Sequence, residues 1–113
     1  MVKIILASKS KVRKKILLKN GINCKVEPSN IDEQPIKENL EAEGVSPEIV
    51  SKNLAELKAN KISQKIKDEL VLGADSVIDL NNKIISKPIN RKEALQILND
   101  LNGKKHYLIS SVC

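Results

Sequence analysis

Asp75 sits inside the strongest strand pattern of the sequence, Leu70 to Leu80 (Leu-Val-Leu-Gly-Ala-Asp-Ser-Val-Ile-Asp-Leu). Asp is depleted in strands, and a buried carboxylate needs a partner or a task, such as orienting a nucleophile. Gly73 and Ala74 just before it leave room for a ligand or another backbone. The alternative is a strand end with Asp75 exposed and inert, against which stand Val77, Ile78, Leu80 and later Ile84. A second group is Ser8-Lys9-Ser10-Lys11-Val12-Arg13, between an apolar run and a helical pattern. A strand-to-helix turn offers unpaired backbone N–H groups and the positive end of the helix dipole, and hydroxyls and an arginine there suit phosphate oxygens. The alternative is that Ser8 and Ser10 only cap the helix and the Lys/Arg residues form a solvated face. Lys58 and Lys87 are weaker candidates, one at the edge of an apolar helix face and one before proline, and Glu33 lies in an acidic loop. No glycine-rich P-loop or dinucleotide fingerprint is present.

The elements that must position these residues follow from pattern. Val2 to Ala7 is apolar and β-branched except for Lys3, as expected of a strand buried on both faces of a parallel sheet. A helix follows, capped by Ser8 or Ser10, with Ile16, Leu17 and Leu18 apolar and Asn20-Gly21 as its stop. Ile22 to Pro28 reads as a second strand. Ser29 to Gly44, interrupted by Pro35, reads mainly as a loop with a helical turn around Leu40. Ser46-Pro47-Glu48 starts a helix running to about Lys67. Val50, Leu54 and Leu57 form its stripe, and Ala55, Ala59, Ile62 and Ile66 continue the buried side. Lys58 is the exception, four after Leu54 and four before Ile62. Leu70 to Leu80 is the strongest strand, turned by Asn81-Asn82 into Lys83 to Ser86 and ended by Lys87-Pro88. Asn90 and Glu93 form a capping-box-like start to a helix ending at Gly103, and His106 to Cys113 is a last strand.

The chain has 113 residues with 41% hydrophobic and 30% charged, which suits one domain and excludes disorder. No apolar stretch is long enough to cross a bilayer, and Met1 to Ala7 lacks a signal-peptide cleavage pattern, which predicts a cytoplasmic protein. Cys24, Cys113 and the solitary His106 make neither a disulfide framework nor a zinc ligand set. The net charge of +6 suits an anionic partner. Lys9, Lys11, Arg13, Lys14, Lys15 and Lys19 raise nucleic acid as that partner, but Tyr107 is the sole aromatic on which a base could stack.

Taken in order, these segments resemble the Maf family of nucleotide pyrophosphatases. Leu6-Ala7-Ser8-Lys9-Ser10-Lys11-Val12-Arg13 is similar to its opening L-A-S-x-S-P-R-R, Asp32-Glu33-x-Pro35 to D-E-x-P, and Leu54-Ala55-Glu56-Leu57-Lys58-Ala59 to L-A-x-x-K-A. Gly73-Ala74-Asp75-Ser76 resembles G-A-D-T, Ser86-Lys87-Pro88 resembles G-K-P, and Leu101-Asn102-Gly103-Lys104-Lys105-His106 resembles L-S-G-x-x-H. The resemblance implies an α/β fold, a mixed sheet flanked by helices of the kind shared with inosine triphosphate pyrophosphatase. It implies hydrolysis of a nucleoside triphosphate to the monophosphate and pyrophosphate with a divalent metal, Mg²⁺ or Mn²⁺, in a homodimer. In those terms Asp75 is the general base, Ser8, Arg13, Lys58 and Lys87 bind phosphates, and Glu33 is an acidic residue of the same cleft. Metal ligands are not identified. Lys11, Val12 and Ser76 depart from the family patterns, and Val12 and Ser76 match neither the dTTP/UTP nor the 7-methyl-GTP subgroup, so the base is unassigned. Members continue past the His106 motif into a second, glycine-rich half. The chain is therefore expected to be the N-terminal portion of one Maf-like domain, with a second expectation of a catalytically impaired form that binds nucleotide or a partner in a division-related, regulatory role.

Overall fold

The computed structural model describes residues 4–85 and 90–113. The three-residue strand β1 (Ile4–Leu6) is followed by α1 (Lys11–Lys19), β2 (Cys24–Val26), α2 (Glu33–Ala42) and the long α3 (Pro47–Lys65). Then come β3 (Leu70–Leu72), β4 (Ala74–Leu80), β5 (Lys83–Ile85), α4 (Arg91–Leu101) and β6 (Tyr107–Val112). The strands make two sheets, a parallel one in the order β2-β1-β3 and an antiparallel one in the order β5-β4-β6. The chain is thus α/β with mixed strand directions and flanking helices.

One helix serves both sheets. The first half of α3 buries Val50 and Leu54 against Val77 and Ile84 of the antiparallel sheet, and Ile36, Leu40, Val45 and Ile109 close that cluster. Its second half buries Ile62 with Ile5 and Ala7 of the β1 region, next to Ile66 and Val71. Each cluster is apolar surface withdrawn from water, the main stabilising term available to the chain.

The continuous strand expected from Leu70 to Leu80 is instead two strands in different sheets, β3 and β4, parted at Gly73. The cause is contact with α3: a Cβ at Gly73 would lie 2.7 Å from the Ala59 amide nitrogen and 2.9 Å from the Ala59 Cβ. Room at Gly73 therefore serves an approaching helix backbone. Gly73 also exchanges two 2.8 Å backbone hydrogen bonds with Cys113, so the pairing of β4 with β6 extends beyond both strands.

The loop expected over Ser29 to Gly44 is corrected as well, since Glu33–Ala42 is helical. Pro35 occupies the first turn, where its missing N–H would have had no intrahelical partner. Glu33 in that turn complements the helix dipole, and Ile36 and Leu40 give the helix an apolar edge to pack. Leu57, assigned to the buried stripe of α3, is exposed, whereas Ser51 is buried there. The apolar residues of α1 are less covered than expected, with Ile16 and Leu18 exposed. Elsewhere pattern and structure agree. Asn81 and Asn82 have φ of 50° and 68°, the left-handed pair that a two-residue hairpin turn requires. Ser10 and Asn90 cap α1 and α4 through bonds from Arg13 N and Glu93 N. Ser86 and the Lys87-Pro88 step lie outside the described residues, as does Lys87's expected role.

Candidate functional site

The turn after β1 is held by its own serines. Ser8, buried at the end of the strand, accepts from the Ser10 amide at 3.1 Å, and the Ser10 hydroxyl accepts from the Arg13 amide at 3.2 Å as the α1 cap. Ser10 therefore has the capping role read from sequence, and Ser8 orders the turn. That geometry brings the Arg13 side chain back over the strand end. Its two guanidinium nitrogens donate to Ser8 Oγ at 3.3 Å and to Ser76 Oγ at 3.4 Å, and Ser76 Oγ lies 2.8 Å from Ser110 Oγ. Arg13 thus ties the β1 turn to β4 and, through Ser76, to β6.

Across from this turn three elements meet at one ammonium group. Lys58 of α3 is 8% exposed, and its Nζ lies 3.2 Å from Asp75 Oδ1, 3.2 Å from the Ala74 carbonyl oxygen, and against Glu33 Oε1. A lysine ammonium has three hydrogens, so these three acceptors match its donors one for one. Glu33, at the start of α2, also pairs with the buried Lys37 at 3.7 Å. Asp75 of β4 is 3% exposed, and its Oδ2 has no hydrogen-bond partner among the described residues. Leaving a buried carboxylate oxygen unpaired costs stability, which marks Oδ2 as an atom with an acceptor's capacity to spare.

A cleft of about 330 Å³ lies between the two groups, lined by Ser8, Ser10, Arg13, Asn30, Glu33 and Lys58 among others. Its walls are an α-helix N-terminus, hydroxyls and cations, the donors that suit a phosphate-bearing ligand. Arg13 and Ser10 also border a second, mostly apolar groove of about 530 Å³, with Val12, Ile16, Leu72, Asp75, Leu108 and Val112 along it.

Five of the six candidate residues are therefore placed within two linked side-chain groups, Ser8 with Arg13 and Glu33 with Lys58 and Asp75. Lys87 lies outside the described residues. Lys58, expected to bind phosphate, has its Nζ turned toward three protein oxygens at the edge of the cleft. Sequence reading missed Ser51, whose hydroxyl donates to the Asp75 carbonyl oxygen at 3.2 Å. The signal was a serine next to Val50 and a turn before Leu54 on the buried side of α3. It also missed Ser110, four strands and three helices away in sequence from the arginine that Ser76 links it to.

Among the described residues no helix is long and apolar enough to cross a membrane. No group of three or more His, Cys, Asp or Glu side chains among them is arranged to hold a metal ion.

Comparison with known proteins agrees with the ordered motifs. A nucleoside triphosphate pyrophosphatase of Pelagibacter ubique (strain HTCC1062) is 70% identical over 97% of this chain and 56% of its own length. A dTTP/UTP pyrophosphatase of Fusobacterium nucleatum is 41% identical over 96% of this chain and 53% of its own. A 7-methyl-GTP pyrophosphatase of Mesorhizobium japonicum is 38% identical over 96% and 55%. The chain spans about half the length of the curated relatives it matches. The family described as Maf-like protein matches residues 3–113, and the chain belongs to that family.

Proposed function

We propose that this chain carries the catalytic half-site of a nucleoside triphosphate pyrophosphatase, which hydrolyses the anhydride between the α and β phosphates to a nucleoside monophosphate and pyrophosphate. The observation that carries the reading is Asp75 with one oxygen on Lys58, a residue that lines the cleft together with Ser8 and Arg13, and the other oxygen unpartnered among the described residues. The names of the relatives support it. In this reading Asp75 Oδ2 accepts a proton from the attacking water as its oxygen bonds to phosphorus, and the bridging oxygen leaves with the pyrophosphate. Lys58 keeps Asp75 and Glu33 seated at the cleft, while Arg13, Ser8 and the α1 amides receive phosphate oxygens. No aspect of the cleft fixes the base.

A divalent cation belongs to the same reading. Carboxylate oxygens of Asp75 and Glu33 are hard donors of the kind Mg²⁺ or Mn²⁺ takes, and two carboxylates with substrate phosphates completing the shell are the usual arrangement for Mg²⁺. When bound, such an ion would offset the negative charge of the triphosphate. A cytoplasmic homodimer is also part of the proposal, supported by the exposed apolar residues of β6 at the edge of its sheet.

The test is release of pyrophosphate from a panel of standard and modified nucleoside triphosphates with Mg²⁺ or Mn²⁺. Turnover is expected, with Asp75→Asn lowering kcat by roughly 10²- to 10⁴-fold. Turnover unchanged by Asp75→Asn removes Asp75 as the base. Tight nucleotide binding by folded protein without any hydrolysis would favour a regulatory, nucleotide-binding role instead.

A further inference from the structure

Asp75 is gripped by α3 at two places about two turns apart. Lys58 holds its carboxylate and the preceding carbonyl, and Ser51 donates its hydroxyl to the carbonyl oxygen of Asp75 itself at 3.2 Å. Ser51 is 0% exposed and lies next in sequence to Val50 and one turn before Leu54, both in a buried apolar cluster. A hydroxyl in that setting is retained at the cost of desolvation and is offset by the one bond it makes. Gly73 packs against the α3 backbone at Ala55, between the two grips, and at Ala59, just past Lys58, so residues 73–75 run along the helix. A carboxylate that keeps one oxygen on an ammonium and the other free needs its own backbone fixed, because rotation about the peptide would carry both oxygens.

We propose that Ser51 is a positioning residue for Asp75, holding its peptide on α3 so that Oδ1 stays on Lys58 and Oδ2 stays available. Ser51 touches neither the cleft nor the substrate and acts only through Asp75. The kinetic consequence rests on the pyrophosphatase reading; the effect on the Asp75 carboxyl does not.

The experiment compares wild type, Ser51→Ala and Ser51→Cys, with Asp75→Asn used to assign the Asp75 signal. The first measurement is the ¹³C′ and ¹³Cγ resonances of Asp75 at one fixed pH in aspartate-labelled protein without nucleotide or metal. The second is kcat and KM for a turned-over triphosphate, with thermal melting recorded on each variant. The expected result is displaced Asp75 ¹³C′ and ¹³Cγ resonances in Ser51→Ala and a kcat about tenfold lower with KM unchanged, the size of one lost hydrogen bond. Cys, a weaker donor of similar volume, should fall between Ser and Ala in both readouts. Asp75 ¹³C′ and ¹³Cγ resonances in Ser51→Ala that superimpose on wild type overturn the proposal, as do activity losses that simply follow the folded fraction. If wild type turns over no triphosphate, the pyrophosphatase reading falls and the Asp75 resonances alone decide Ser51. If Ser51→Ala fails to fold, Ser51→Cys carries both measurements.

Discussion

One buried ammonium among three oxygen acceptors sets the behaviour of the whole charged group. Removing Lys58 leaves the Asp75 carboxylate buried without a counter-charge, and breaking a buried ion pair on one side costs roughly 3–5 kcal/mol. Lys58→Met should therefore lower the stability measured by urea unfolding by about that much. Adding Asp75→Asn to it should restore part of the loss, because the orphaned charge is gone; a double variant no more stable than Lys58→Met would show that the pair is not coupled. Arg13 makes a different prediction. Its planar fork reaches Ser8 and Ser76 together, which a lysine cannot reproduce. Arg13→Lys should raise KM for the triphosphate by about tenfold with a smaller change in kcat, read from steady-state pyrophosphate release. At this scale the sequence was informative where a residue type violated its pattern. Asp75 in a strand and Lys58 on an apolar face stood out for that reason. Ser51 did not, because a serine is ordinary in a helix and only the carbonyl opposite it gives the hydroxyl a purpose.

Elements were legible where periodicity and caps agreed. α3 and α4 start and stop within a few residues of their expected limits, and the Asn81-Asn82 turn pairs β4 with β5 as its residue types require. Two failures have physical causes. Pro35 suggested a break over a segment that is helical, because a proline in the first turn removes an N–H that had no partner. Leu70 to Leu80 looked like one strand because apolar pattern cannot show that Gly73 is pressed between α3 and the last strand. That placement predicts a severe effect from a single methyl group. In Gly73→Ala the new Cβ meets the backbone of α3, which cannot rotate away as a side chain would. The helix must move off β3 and β4, separating the two clusters it bridges, at a cost of about 3 kcal/mol or more. Thermal unfolding should show a large drop in Tm. Because Ala55 lies between the two grips on Asp75 and Ala59 adjoins Lys58, any folded Gly73→Ala protein should also lose turnover out of proportion to its melting temperature. A Tm within a few degrees of wild type would refute the close packing.

At the scale of the molecule, the two sheets meet along α3 and leave an apolar border uncovered among the described residues. β6 is an edge strand, with Leu108 72% exposed and Val112 68% exposed, and across the groove Val12 and Ile16 of α1 are also exposed. An edge strand with unpaired backbone and a continuous apolar surface is a template for association with another chain. Opposing this is the net charge of +6, which makes two copies repel at low ionic strength. The two terms respond oppositely to salt, and this separates them. Raising ionic strength screens the repulsion and leaves apolar burial in place, so self-association of the 113-residue chain should strengthen with salt. Light scattering coupled to size-exclusion chromatography should show a concentration-dependent shift from monomer to dimer that grows between low and physiological salt. Leu108→Lys with Val112→Lys places charge on the two most exposed apolar positions of β6 and should hold the chain monomeric at the same concentration without lowering its Tm, since neither side chain is in a buried cluster. Association that weakens with salt would assign the contact to ion pairs and remove the apolar border as its basis. A dimer that survives both lysines would place the interface elsewhere on the molecule.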